Sequence, residues 1–142
     1  METKKPLQPA GYSGTPLARK LGIKPGSIIK LIQAPAYYFD LFLDWPDSVQ
    51  ILEDQTPPKD LIHFFTQQKD ELEATLPLLR AEINPNGMIW VSWPKKASKV
   101  PTDISEDTIR AVAFANQLVD VKVCAVDQIW SGLKLVIRKK DR

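Results

Sequence analysis

The chain has 142 residues, and its 19 Lys+Arg nearly balance 17 Asp+Glu, leaving a net charge of +2. Hydrophobic residues at 44% and charged residues at 25% belong to a chain that buries a core, and they exclude a disordered one. One cysteine, Cys124, and one histidine, His63, exclude a disulfide framework, a Cys-rich zinc site and paired-histidine chemistry, so no metal is expected. No apolar run reaches the roughly 18 residues of a membrane span.

Residues 1–10 carry two prolines and three charges and are expected as a flexible tail. They hold no apolar stretch of a secretory leader. With the lack of cysteine pairs, this points to the cytoplasm. Residues 11–142 read as one domain. Thr15 can cap a short helix, Pro16 suits its first position and Gly22 the position past its end. Ile28 to Ile32, rich in β-branched residues, reads as a buried strand. Ala36 to Leu43 is apolar nearly all round and follows Pro35, so a helix packed on a sheet is expected. A short strand at Val49 to Leu52 precedes a continuous apolar strand from Asp60 to Phe65, with His63 inside it.

Thr66 is an N-cap candidate for a helix whose Leu72, Leu76, Leu79 and Ile83 share one stripe. Pro77 is expected to kink or restart it. Asn84-Pro85-Asn86-Gly87 signals a turn, and Met88 to Trp93 a further strand. Asp103 and Glu106 have capping-box spacing ahead of a helix from Ile104 to about Gln117. Val119, Val121, Val123 and Ala125 alternate as a strand does. A turn at Asp127 to Trp130 then leads to a last strand marked by Leu133, Leu135 and Ile137. The alternation predicts the α/β class: a single three-layer domain with a mostly parallel sheet, helices on both faces and a C-terminal antiparallel hairpin strand. That last strand is expected at an exposed edge guarded by Lys134, Arg138 and Lys139.

Ligands of open α/β sheets bind beyond the carboxyl ends of the strands. Those ends fall here at Gln33–Pro35, Thr66–Gln68, Ser92–Ser98 and Asp127–Gly132. Lys95, Lys96 and Ser98, ahead of a helix start near Asp103, offer charge and donors to a phosphate or carboxylate. The competing reading is a solvated basic loop, with Asp103 already at the helix end. Gly11, Tyr12, Ser13, Gly14 and Thr15 form either an anion nest or an arm over the sheet edge; they lack the lysine and spacing of a P-loop. Asp127 reads as a general base, an amine ligand or the cap of its own turn, and Trp130 closes the same edge. Cys124 and His63 read as a buried inert thiol and a hydrogen-bonded core histidine. Trp90 and Trp93 lie three apart and so face opposite sides of a strand.

The run from Asp60 resembles the second half of a class I methyltransferase fold, through DLIHFF, ELEATLPLLRAEI, NPNG, MIWVSW and the closing hairpin. The whole chain also resembles an uncharacterised bacterial domain family of unknown function. That likeness is carried by GYSGTPL and KLGI near the start, then WVSWPKKAS with Thr102-Asp103, VDVKVCAVD and WSGLK. It implies a reduced Rossmann-like fold. The first resemblance also exposes departures. Methyltransferases of this class end their first strand in a Gly-rich loop, whereas Gln33-Ala34-Pro35-Ala36-Tyr37-Tyr38 holds no glycine. Glu53-Asp54 stands where an acid would hold a ribose, and one strand-helix unit before Asp60 is missing. No cofactor is therefore expected, and S-adenosylmethionine is not expected in its usual mode.

These residues favour a domain that binds an anionic small molecule at the carboxyl edge. An enzyme with a minimal Asp127/Lys site and a protein-interaction module are the alternatives. Neither a membrane nor sequence-specific nucleic acid is an expected partner.

Overall fold

The computed structural model describes residues 15–142, and these form one six-stranded sheet flanked by helices. In chain order the elements are α1 (Leu17–Leu21), β1 (Ile28–Ile32), β2 (Gln50–Ile51), β3 (Lys59–Phe65), α2 (Lys69–Glu82), β4 (Ile83–Pro94), α3 (Glu106–Ala115), β5 (Leu118–Ala125) and β6 (Trp130–Ile137). The strands lie in the order β2-β1-β3-β4-β6-β5. β2, β1, β3 and β4 pair in parallel, and β6 runs antiparallel to both β4 and β5. This is the expected α/β architecture with an antiparallel C-terminal pair.

Alternation along each strand sends side chains to two cores. Ile62, Phe64, Ile89, Val91, Trp93, Leu133 and Leu135 face one layer, packed by Leu72, Leu76 and Leu79 of α2 and by Ile109, Val112 and Ala113 of α3. Ile29, Leu61, Trp90 and Cys124 face the other, under Leu17, Ala18 and Leu21 of α1 and Leu41. Trp90 and Trp93 thus sit on opposite faces. Trp90 donates from Nε1 to the Leu21 carbonyl at 2.8 Å, which ties α1 to the sheet. Gly22 ends α1 at φ 86°, a left-handed conformation that only glycine adopts without penalty.

Several local expectations yield to long-range partners. Thr15 does not cap α1. The carboxylate of Asp44 accepts from the Ala18 and Arg19 N–H groups instead, both at 3.2 Å. Ala36 to Leu43 forms only a 3-10 turn at Tyr38–Leu41, because the Tyr38 and Leu41 side chains are buried from a three-residue spacing. α2 runs on through Pro77, whose lost bond frees a carbonyl on the solvent side of the helix. Ile83 opens β4 and does not extend the helical stripe.

Asn84 to Gly87 is an excursion inside β4: the register jumps from Lys59↔Ile83 to Leu61↔Met88. A Cβ on Gly87 would lie 2.9 Å from the Lys59 carbonyl oxygen, so the excursion closes only over glycine. α3 begins at Glu106 with Ser105 and Thr108 forming its capping box. Asp103 caps a different helix, accepting from the Lys69 N–H of α2 at 2.7 Å. Finally, β6 is an interior strand, not the edge. Its Gly132, Leu133 and Leu135 are buried, whereas Val119, Val121 and Val123 of β5 are exposed. A register shift between Asp120 and Lys122 bulges that edge, a feature that discourages further strand pairing.

Candidate functional site

The sheet changes its direction of growth between β1 and β3: β2 lies outside β1, and later strands are added beyond β3. A crevice opens above the carboxyl ends of strands at such a point. Here a cleft of about 260 Å³ is lined by Gln33, Phe65, Thr66, Gln67, Gln68, Glu71 and Trp130.

Gln33 follows β1 directly and holds φ 57°, which turns its side chain across the cleft. Its Nε2 donates to the Phe65 carbonyl at 2.8 Å and to Glu71 Oε1 at 3.0 Å. The Thr66 hydroxyl donates to the same carboxylate oxygen. Trp130 packs edge-on against Phe65, with ring centroids 5.1 Å apart. The floor is therefore apolar, and the rim carries amides, one hydroxyl and one carboxylate.

Behind the cleft, Pro35 and the 3-10 turn fill the space that follows β1. Tyr38 is buried, and its hydroxyl lies 2.9 Å from His63 Nδ1. His63 Nε2 lies 2.8 Å from Ser92 Oγ. His63 is fully buried and stacks on Phe65 at 4.2 Å. Burial pushes its pKa down to about 3, so the ring is neutral. A neutral ring donates once and accepts once, which satisfies both hydroxyl neighbours. Burial likewise pushes the Tyr38 hydroxyl up.

The candidates from the sequence are only partly gathered here. Trp130 lines the cleft. Asp127 is buried beside it, and Oδ1 accepts from the Ile129 and Trp130 N–H groups at 2.8 and 2.7 Å. Its Oδ2 accepts from the Tyr37 hydroxyl at 2.6 Å. The carboxylate is thus engaged as the cap of its own turn. Burial first, and then Asp127, push the Tyr37 hydroxyl well above its ordinary range. Lys95 is half-buried. Burial lowers its pKa, and the Asp127 charge partly opposes that. Lys96 opens an exposed 3-10 turn, and the Ser98 hydroxyl donates back to the Lys95 carbonyl at 2.6 Å.

Thr15 precedes α1 without capping it. Gly11, Tyr12, Ser13 and Gly14, and the tail at 1–10, lie outside the described residues. Glu53 and Asp54 are exposed and do not line the cleft. Among the described residues no cluster of His, Cys, Asp and Glu has the makings of a metal site, and no helix is long and apolar enough to cross a membrane.

The sequence places Gln33 in a strand-end segment without singling it out, and gives no role to Glu71. The usable signal was weak: Glu71 sits in the first turn of a helix that starts at a strand's carboxyl end. A roomier cavity of about 520 Å³ lies at the opposite, amino edge, between the turns at Gly22–Ser27 and Asn84–Met88. It is remote from the switch between β1 and β3.

Solved methyltransferases share this fold. A protein assigned as a type 11 methyltransferase from Sulfolobus solfataricus matches at TM-score 0.62 and 17% identity, over 87% of this chain and 90% of its own. The magnesium protoporphyrin IX methyltransferase of Synechocystis, with bound S-adenosylhomocysteine, matches at 0.56 and 10%, over 86% and 79%. The 1,6-didemethyltoxoflavin-N1-methyltransferase of Burkholderia thailandensis matches at 0.53 and 12%, over 84% and 73%. The chain has a methyltransferase-like Rossmann fold. No family model and no curated protein matches the sequence. At these identities the likeness establishes the fold and not the activity.

Proposed function

We propose that this chain is a cytoplasmic binding domain on a methyltransferase-like scaffold, akin to a bacterial domain family, that takes a small polar molecule at the carboxyl edge of its sheet. The supporting observation is the Gln33–Glu71–Thr66 lattice over the cleft at the ends of β1 and β3. A glycine turn would let a cofactor approach the backbone there. Here Gln33 crosses the space and the aromatic 3-10 turn fills what lies behind it. This argues against S-adenosylmethionine in its usual mode.

The cleft's charge also bears on its ligand. Neither Lys95 nor Lys96 lines it, and the Glu71 carboxylate does. A neutral or cationic molecule rich in hydrogen-bond donors fits this rim better than the anion expected from the lysines, which belong to another surface.

Thermal-shift measurement with nucleosides, amines and amino-acid amides tests the reading. Such molecules should raise the melting temperature, and Glu71→Gln should abolish the rise. Stabilisation by phosphorylated anions alone, unchanged in Glu71→Gln, would refute the charge assignment. Calorimetry showing micromolar binding of S-adenosylmethionine, lost on substituting Gln33, would overturn the exclusion.

A further inference from the structure

One face of the sheet, from α1 across β6 to β5, carries lysines from five segments. Lys20 lies on α1, Lys24 in the turn after it, Lys95 just past β4, Lys122 on β5 and Lys134 on β6. Lys122 and Lys134 stand directly opposite in the antiparallel register. Like charges in that position are destabilising. The remaining lysines extend the same field: Lys134 feels Lys24 as well as Lys122, and the Cys124 thiol feels Lys20, Lys122 and Lys95 together.

Among the described residues no ion pair involves any of these lysines. Asp120 faces the opposite layer and pairs with Arg110 of α3. Asp127 acts on Lys95, but its oxygens already hold Tyr37 and two backbone N–H groups. With a net charge of only +2 on the whole chain, this is segregation of charge and not a general excess.

The track is too long for one small anion. Lys134 pairs with Trp90, and Lys95 lies five residues further along the same strand direction, about 16 Å at about 3.3 Å per residue. A nucleic-acid strand offers one phosphate per about 3.4 Å of duplex axis, so several fall within that length. Lysine meets a phosphate as a point charge without the bidentate geometry that arginine offers, which suits contact to a backbone that is not read in detail. The exposed ring of Phe114 lies on α3, on the opposite face of the sheet, and so gives bases no stacking platform beside the lysines.

We propose that this lysine track binds the phosphodiester backbone of nucleic acid without reading its sequence. The occupant is a polyanion on the sheet face, distinct from the small ligand of the carboxyl-edge cleft.

Fluorescence anisotropy with a labelled mixed-sequence DNA duplex tests it. The intact chain should bind at low salt, with log K falling linearly against log salt. Lys122→Ala with Lys134→Ala should weaken binding roughly tenfold per lysine at about 0.1 M salt and reduce the salt slope by about two. Lys122→Glu separates recognition from damage. It replaces a like-charge pair by an opposite-charge pair, so its melting temperature should rise while affinity falls more than the alanine variant predicts. Lys139→Ala with Lys140→Ala, in the basic C-terminal segment, should leave binding essentially unchanged. The proposal is overturned if the duplex does not bind at low salt, or if the Lys122/Lys134 variant binds like the parent. Capture of acidic peptide or phosphatidylserine vesicles without duplex binding would also overturn it.

Discussion

His63 is the chain's one histidine, and its burial makes the stability of the fold depend on pH in a defined window. Its pKa is held at about 3 in the folded chain against an ordinary 6.5. Protonating it would place two N–H donors against the Tyr38 and Ser92 hydroxyls, whose own hydrogens would then need other acceptors. The sign follows from proton binding. Between the two pKa values the unfolded chain binds the proton and the folded chain does not, so stability is full above the unfolded pKa and falls as pH drops.

Each pH unit inside the window is worth about 1.4 kcal/mol, so about 2 kcal/mol is lost by about pH 5 and about 4 kcal/mol by about pH 3. The first figure is a large part of a typical domain stability of about 5–15 kcal/mol. Between about pH 7 and 5, ordinary carboxylates stay mostly ionised, so this one side chain dominates the slope. Urea unfolding at a series of pH values measures it, and His63→Gln should flatten the slope. NMR titration gives an independent reading: the imidazole resonances should not move from about pH 7 to 5. An intact chain with a flat stability profile, or an imidazole titrating near 6.5, would refute the reasoning.

Removing the cross-chain cap with Asp103→Ala should fray the start of α2 and cost about 1 kcal/mol, read as a lower urea midpoint. Leu72→Ala, in the core under α2, should cost about 2–5 kcal/mol by the same assay. A Cβ at Gly132 would lie 3.1 Å from Trp90 Cε3 and 3.2 Å from Ser92 Oγ, so Gly132→Val should crowd both and lower the melting temperature. Asp127→Asn removes the charge that helps hold the Tyr37 hydroxyl up. Ultraviolet difference titration should therefore show that phenol ionising at lower pH, though burial keeps it raised.

Strands were readable because a short β-branched or aromatic run between turn residues points to little else. β1 spans Ile28–Ile32 as expected, and β3 begins only one residue before Asp60. The segment Ala36–Leu43 misled because a stretch that is apolar all round has no period. Its conformation depends on Tyr38 reaching His63, 25 residues away. Strand order was likewise hidden: alternation along β5 and β6 does not say which lies outside. The exposed valines of β5 and the buried Gly132 of β6 decide it only once the helices are in place.

The carboxyl edge was located correctly as a set of segments, but the side chains that meet across it were not. Gln33 and Glu71 are 38 residues apart, and Asp103 and Lys69 are 34 apart, so no local spacing betrays either contact. Lys95, Lys96 and Ser98 drew notice because they are adjacent in the chain. Folding instead joins Lys95 to lysines from other elements.

The interior position of β6 also bears on synthesis. A chain made from its N-terminus completes β5 before β6 exists, and among the described strands β5 pairs only with β6. Until the later strand slots between β4 and β5, the nascent domain carries an open slit in its sheet, with a valine-rich ribbon lacking its neighbour. Unpaired strands of this kind are where misassembly between copies begins. The later strand is therefore a wedge that locks β4 to β5, and stalling before Trp130 would leave both of their edges open at once.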